Sequence, residues 1–246
     1  MKYWVDLHIH SCLSPCAEDD MTPNNIVNMA LIKGLDIIAV TDHNSVRNVR
    51  AVMEAGERSG LLVVPGMELC TSEEIHLVCL FPDYEKALSF EILVYENLPS
   101  VDNREDIFGA QIIMDSEDNE TGRETRFLAG ACGLDIETSI NLARGFGGIV
   151  IPAHINRQSY SILATLGSIP PDYNFKYLEY SKHRGTVPLC AQIRDFIQVN
   201  PELGSYNYIT SSDAHFLGDI LEQEVALDLP DKSIQSLLHE FRGRRL

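Results

Sequence analysis

Apolar and polar positions alternate along the chain on two length scales. Short, nearly continuous apolar runs at Tyr3–His8, Leu35–Val40, Leu61–Pro65, Ile75–Phe81, Gly148–Pro152, Lys176–Tyr180, Tyr206–Thr210 and Glu224–Leu229 predict strands. Between them lie stretches with helical spacing. Thr22 precedes Pro23 as an N-cap, and Gly34 closes the helix they open. Further helices are predicted over Val46–Ser59, Asp83–Glu96, Asp135–Gly145, Gln158–Leu166, Pro188–Gln198 and Lys232–Arg242. Strands alternating with helices imply an α/β fold around a parallel sheet. The stretch 100–126 breaks the pattern, with eight acids, three arginines and only Ile112-Ile113-Met114 as a strand signal. It reads as an acidic insertion, a lid or interface element, on a single domain spanning 1–246. That length suits one α/β barrel.

Composition narrows the function classes. Hydrophobic residues make up 45%, enough for a sizeable core. No apolar run reaches the roughly 18 residues of a membrane span, and residues 2–9 begin directly as a strand without the layout of a signal peptide. A cytoplasmic protein with no membrane partner is expected; the oligomeric state is left open. Cys12, Cys16, Cys70, Cys79, Cys132 and Cys190 form no CxxC pair and, Cys16 excepted, suit reduced packing residues. The formal net charge of −17 repels phosphate backbones and disfavours duplex nucleic acid as a partner. A small anionic substrate fits if bound cations supply local positive potential.

The chemistry collects where strands end. Asp6-Leu7-His8-Ile9-His10 closes the first strand, Thr41-Asp42-His43 follows the second, and Gly66-Met67-Glu68 the third. His154 follows Gly148–Pro152, and Ser212-Asp213-Ala214-His215 follows Tyr206–Thr210. In a parallel barrel these ends converge on one face, where active sites of that architecture lie. His8 and His10, two apart on extended chain, point to one side. Imidazole and carboxylate are the usual ligands of zinc, manganese and iron. His76 opens a strand instead of ending one, but an antiparallel return after the short Leu69–Glu74 connection sets it beside Glu68. A lone histidine at a strand end is usually structural; six of the eight at strand boundaries, with Glu68 and Asp213, are hard to explain by packing. His239 reads as a solvated residue of the last helix.

Taken together these residues resemble the PHP (polymerase and histidinol phosphatase) family. Asp6-Leu7-His8-Ile9-His10-Ser11 and Thr41-Asp42-His43 resemble its first two motifs, Glu68 with His76 its third, and Pro152-Ala153-His154 and Ser212-Asp213-Ala214-His215 its last two. The resemblance implies a distorted (β/α)7 TIM-like barrel with two to three divalent metal ions (Zn, Mn or Fe) at the C-terminal strand ends. By the family's pattern His8, His10, Glu68 and Asp213 hold one metal, and Glu68, His76 and His154 a second. His43 and His215 hold the third with a residue from the loop after the first motif. Here that loop, Ser14-Pro15-Cys16-Ala17-Glu18-Asp19-Asp20, departs from the family's usual Asp or His. Counting back from Pro23 selects Glu18, the preferred ligand; counting forward from His10 selects Cys16.

The resemblance implies a hydrolase of phosphoric esters: a metal-activated hydroxide attacks a small-molecule phosphate monoester or nucleotide. Glu68, Asp213 and His215 are the expected catalytic residues, with Arg157, Lys182 and His183 holding the phosphate. Two alternatives are a 3′-5′ exonuclease on short single-stranded nucleic acid and a metal-dependent amidohydrolase. The second lacks an obvious lysine for carbamylation. No G-x-S-x-G elbow or Walker loop occurs, and Gly145-Phe146-Gly147-Gly148 precedes a strand, so it is a turn and not a phosphate cradle.

Overall fold

A computed structural model describes residues 1–182 and 187–242. Its main sheet contains β1 (Lys2–Ile9), β2 (Ile37–Val40), β3 (Leu62–Cys70), β4 (His76–Leu80), β7 (Ile149–Pro152) and β10 (Ala226–Asp228), in the order β10-β1-β2-β3-β4-β7. β1, β2 and β3 run parallel. β4 runs antiparallel to both β3 and β7, and β10 antiparallel to β1, so the sheet is mixed where the sequence pattern implied a parallel one. β8 (Tyr177–Glu179) and β9 (Asn207–Ile209) pair parallel in a second sheet. Hydrogen bonds from Ile155 N to Glu179 O and from His10 N to Ala214 O link that pair to both sides of the curled half-barrel.

The helices form where local chemistry directs them. α1 (Pro23–Ile32) starts under Thr22, whose side chain accepts from Asn25 N. Asp83 caps α3 (Tyr84–Asn97) and Asp135 caps α5 (Ile136–Gly145) in the same way. α2 (Val49–Ser59) ends on Gly60 in the left-handed conformation. α6 (Ile162–Leu166) is shorter than expected, because Tyr160 has a positive φ and the helix starts only at the Ser161 cap. α7 (Leu189–Val199) and α8 (Ile234–Arg242) complete the chain.

Alternation along the strands divides the interior. Val5, Leu7, Ile37, Ala39, Val64, Val78, Leu80, Ile149 and Ile151 form one apolar cluster, stoppered by Leu237, Leu238 and Phe241 of α8. Intervening residues such as Ile38, Val40, Val63, Leu77, Cys79 and Val150 face a second cluster, with Val52 of α2, Phe90 of α3 and Ile140 of α5. Residues two apart share a face of a strand. The face that holds Val64 on β3 therefore continues through Gly66 to Glu68, and the face that holds Leu80 on β4 runs through Val78 to His76. One end of this inner face is thus apolar and the other carries donors. Gly66 makes the passage possible: a Cβ there would lie 2.7 Å from Leu80 Cδ2 and 2.8 Å from Thr41 Cγ2.

The stretch between α3 and α5 holds α4 (Glu105–Phe108) and a hairpin of β5 (Ile112–Met114) and β6 (Glu120–Arg123). It leans on the loop after β1. Ile112 N donates to Cys12 O, and Asn48 bonds both Ile112 O and Met114 N. Among the described residues no helix is long and apolar enough to cross a membrane.

Candidate metal centre

Glu68 is the hub. Its backbone is held on both sides, by Glu68 N to Asp42 O and Asn44 N to Glu68 O, so its side chain is fixed beside the end of β2. Five imidazoles surround its carboxylate. Oε1 lies 2.7 Å from His76 Nδ1, 3.2 Å from His154 Nε2 and 3.3 Å from His8 Nε2. Oε2 lies 2.9 Å from His43 Nδ1 and 3.4 Å from His10 Nε2. Asp213 Oδ1 approaches His10 Nε2 at 3.1 Å and His8 Nε2 at 3.4 Å. His8 and His10 are fully buried, and Glu68 and His154 nearly so.

Three groups of donors close to within 4.8 Å of one another: His8, His10, Glu68 and Asp213; His43, Glu68 and His76; and His10, His43 and His215. These groups hold the expected ligands except Glu18 and His154: His43 takes the place expected of His154 beside Glu68 and His76, and His154 meets the cluster through its Nε2, 3.2 Å from Glu68 Oε1. Glu18 is exposed, and its backbone N–H, not its carboxylate, meets His215, at the carbonyl oxygen. The Cys16 thiol instead lies 3.3 Å from His43 Nε2.

Acids and hydroxyls behind the ring set the direction of its lone pairs. Glu179 accepts from His8 Nδ1 at 3.0 and 3.1 Å and from His154 N at 3.0 Å. Ser14 Oγ donates to Asp42 at 2.7 Å, so it accepts from His10 Nδ1 at 2.9 Å. With their Nδ1 protons committed, neutral His8 and His10 aim bare Nε2 lone pairs at each other across 3.3 Å. Such an arrangement repels unless a cation or a proton lies between them. Glu68 Oε2, His43 Nδ1, His76 Nε2 and His154 Nδ1 are buried without a well-aligned hydrogen-bond partner. Unpaired donors and acceptors in that number are costly in a dry interior, and they fit a site built for divalent cations.

The electrostatics agree. Burial opposes charge on His8, but Glu179, Asp213 and Glu68 outweigh it and hold the ring well above the ordinary imidazole value. His43 is likewise raised against its burial, chiefly by Glu68. Burial, with the neighbouring His215 and His43, holds His10 well below that value. Burial also pushes the carboxyls up, yet His76, His8 and His43 keep Glu68 well below the usual range, and His8 and His10 do the same for Asp213. Burial raises the Cys16 thiol, but hydrogen bonds with His215 and His43 bring it down to about 6.

His154 and Asp213 both adopt positive φ, 31° and 53°, outside the range most L-residues prefer. Asp6 supports the last loop by accepting from Ser212 N and Leu221 N. Arg157 Nη1 lies 2.7 Å from Asp213 Oδ2, at the border between the centre and a cavity of about 420 Å³ lined by Lys33, Arg157, Lys182, Ser212 and Glu224, among others. Lys182 lines that cavity away from the ring of donors and pairs with Glu224. His183 lies outside the described residues. The sequence pattern did not single out Glu179, Asp42, Ser14 or Asp6 as supports. The available signal was a charged residue inside an apolar strand run, as at Asp6 and Glu179.

Residues 6–120 match the model of the PHP domain family. An uncharacterised protein of Methanocaldococcus jannaschii is 36% identical over 96 residues, 35% of this chain and 56% of the relative. The 5′-3′ exoribonuclease Rnm of Escherichia coli is 32% identical over 96 residues, 37% of this chain and 32% of the relative. The aligned stretches therefore span about half and about a third of those relatives. A lesion-specific endonuclease from Pyrococcus furiosus superimposes with a TM-score of 0.67 at 17% identity, covering 98% of this chain and 56% of the other. An Endonuclease Q of the same fold, solved with a 27-mer duplex substrate, superimposes with a TM-score of 0.65 at 16% identity, covering 96% of this chain and 55% of the other. The expectation that an acidic chain of this fold avoids duplexes therefore finds no support among its structural neighbours.

Proposed function

From the match of residues 6–120 to the PHP domain family and the ring of donors, we propose that this chain is a metal-dependent phosphoesterase acting on a small-molecule phosphate monoester or nucleotide. The reading takes the chain as one (β/α)7-type barrel over 1–246, with the 100–126 stretch inserted on it. His8, His10, Glu68 and Asp213 would hold one cation, Glu68, His76 and His154 a second, and His43 with His215 a third. Zinc, manganese or iron suits these donors. When bound, such cations polarise a phosphoryl oxygen and lower the pKa of water.

The chain's own residues supply the rest. The observation that carries the reading is the 3.3 Å approach of His8 Nε2 to His10 Nε2, with Glu179 and the Asp42–Ser14 relay on the Nδ1 side of the two rings. Glu68 and Asp213 hold the negative charge of the ring, and His215 at its rim is the candidate to relay a proton. Arg157 is placed to exchange its contact with Asp213 for a phosphate oxygen. Lys182 in the adjoining cavity, and His183, are the further candidates to hold the phosphate. The likeness to the 5′-3′ exoribonuclease Rnm favours a second reading, release of nucleotides from the end of a short single strand.

Elemental analysis of the purified protein alongside a phosphate-release screen tests the first reading. His8→Ala and Glu68→Ala should each abolish release and lower the bound metal. Turnover that survives either change removes that residue from the centre. Mononucleotide release from a labelled oligonucleotide, with no action on small esters, selects the second reading.

A further inference from the structure

We propose that Cys16 supplies a thiolate ligand to the cation held by His43 and His215, giving this end of the centre a preference for zinc over manganese. The inference rests on the reading that the ring of donors binds cations. Among the three donor groups, His10, His43 and His215 alone contain no carboxylate. His10 is committed to the first cation, so His43 and His215 supply only two neutral donors to the third, and a further donor fits beside them.

Cys16 stands at the edge of that group, beside His43. Its Sγ lies 3.3 Å from His43 Nε2. Sulfur and nitrogen bound to one tetrahedral zinc, at about 2.3 and 2.0 Å from it, lie about 3.5 Å apart. His43 is 6% exposed and turns its Nδ1 toward Glu68 at 2.9 Å, which leaves Nε2 for the Cys16 side. The loop that carries the thiol is fixed by its own backbone. Ala17 N donates to Ser14 O, Glu18 N to His215 O and Met21 N to Glu18 O. Gly109 presses on the residue before the cysteine: a Cβ there would collide with Pro15 O.

The same loop turns the Glu18 side chain outward, so the residue favoured by counting along the sequence is not the one the fold presents. Cys12, Cys70, Cys79 and Cys132 are buried away from the ring of donors, and of the two exposed cysteines, Cys16 and Cys190, the second lies on α7. A soft thiolate favours zinc over manganese, which prefers oxygen donors.

Cobalt(II) loading of the metal-stripped protein provides a readout independent of turnover. The wild-type protein should develop a sulfur-to-cobalt charge-transfer band in the near ultraviolet. Cys16→Ser should lose that band and one equivalent of metal. Cys16→Asp should lose the band, keep the equivalent and take up manganese more readily, while Glu18→Gln should leave both band and stoichiometry unchanged. Zinc-edge X-ray absorption of the wild-type protein should show a sulfur scatterer, a check that needs no variant to fold. A cobalt-loaded wild type without the band that still hydrolyses phosphate esters overturns the Cys16 assignment and spares the phosphoesterase reading. A wild type that binds no metal defeats both.

Discussion

At the scale of single residues, the centre depends on acids that need never touch a substrate. Glu179 reaches His8 from 171 positions away in sequence and also accepts the His154 backbone N–H. It thereby fixes one ring and the loop of another. Supports of this kind typically change metal affinity by about 10- to 100-fold when removed. Glu179→Gln should therefore weaken metal binding on that order while leaving the far-ultraviolet circular dichroism unchanged, as measured by competition with a chromophoric chelator. An unaltered affinity would show that His8 is oriented by its strand alone. His8, His10, His43, Glu68, His76, His154, Asp213 and His215 were legible as candidates because residue type coincides with a strand boundary predicted from the apolar runs. Glu179 was not, because its role lies in a pairing between β8 and β1, far apart in sequence, that no local pattern encodes.

At the scale of elements, most helix starts were readable because their caps are local: Thr22, Asp83 and Asp135 each bond an amide three residues on. β3 was harder. Gly66 reads as a stop, yet here it admits Leu80 and Thr41 at close range, and the strand continues to Cys70. Glu68 consequently sits within a strand and not beyond its end. The reversed direction of β4 was expected only through His76, and it brings Val78 opposite Glu68 and His76 opposite Cys70. The stretch between α3 and α5 gave little periodic signal because its hairpin is held by the loop after β1 instead of by its own pattern. Gly109 marks that contact, with φ 97° and Pro15 O at close range. Gly109→Ala should cost more than about 1 kcal/mol of stability, from the positive φ and the clash together. Urea denaturation checks this, and a variant as stable as wild type would mean that the Pro15 loop yields freely.

At the scale of the whole molecule, donors from residues 8 to 215 meet in one buried ring, so protons and cations compete for the same fold. His8 and His43 are raised above their unfolded value of about 6.5. Their contribution to the metal-free protein is complete below that pH and is lost as pH rises through the raised folded values. Glu68 and Asp213 are depressed, so theirs is present above an unfolded value of about 4 and is lost as pH falls through the depressed values. The metal-stripped protein should therefore melt highest between about pH 4 and 6.5. Metal loading should release protons from His8 and His43 and shift that optimum upward, as thermal melts with and without chelator would show. A stripped protein equally stable at alkaline pH would contradict the sign of the imidazole shifts.

The positive φ angles of His154 and Asp213 carry one more implication. Non-glycine residues in such conformations cost on the order of 1–3 kcal/mol each. Glycine would relax both backbones and delete both side chains, so sturdiness and chemistry pull in opposite directions at the same two positions. An engineer seeking relief of backbone strain would look to these two positions first; one wanting the chemistry must leave that tension in place.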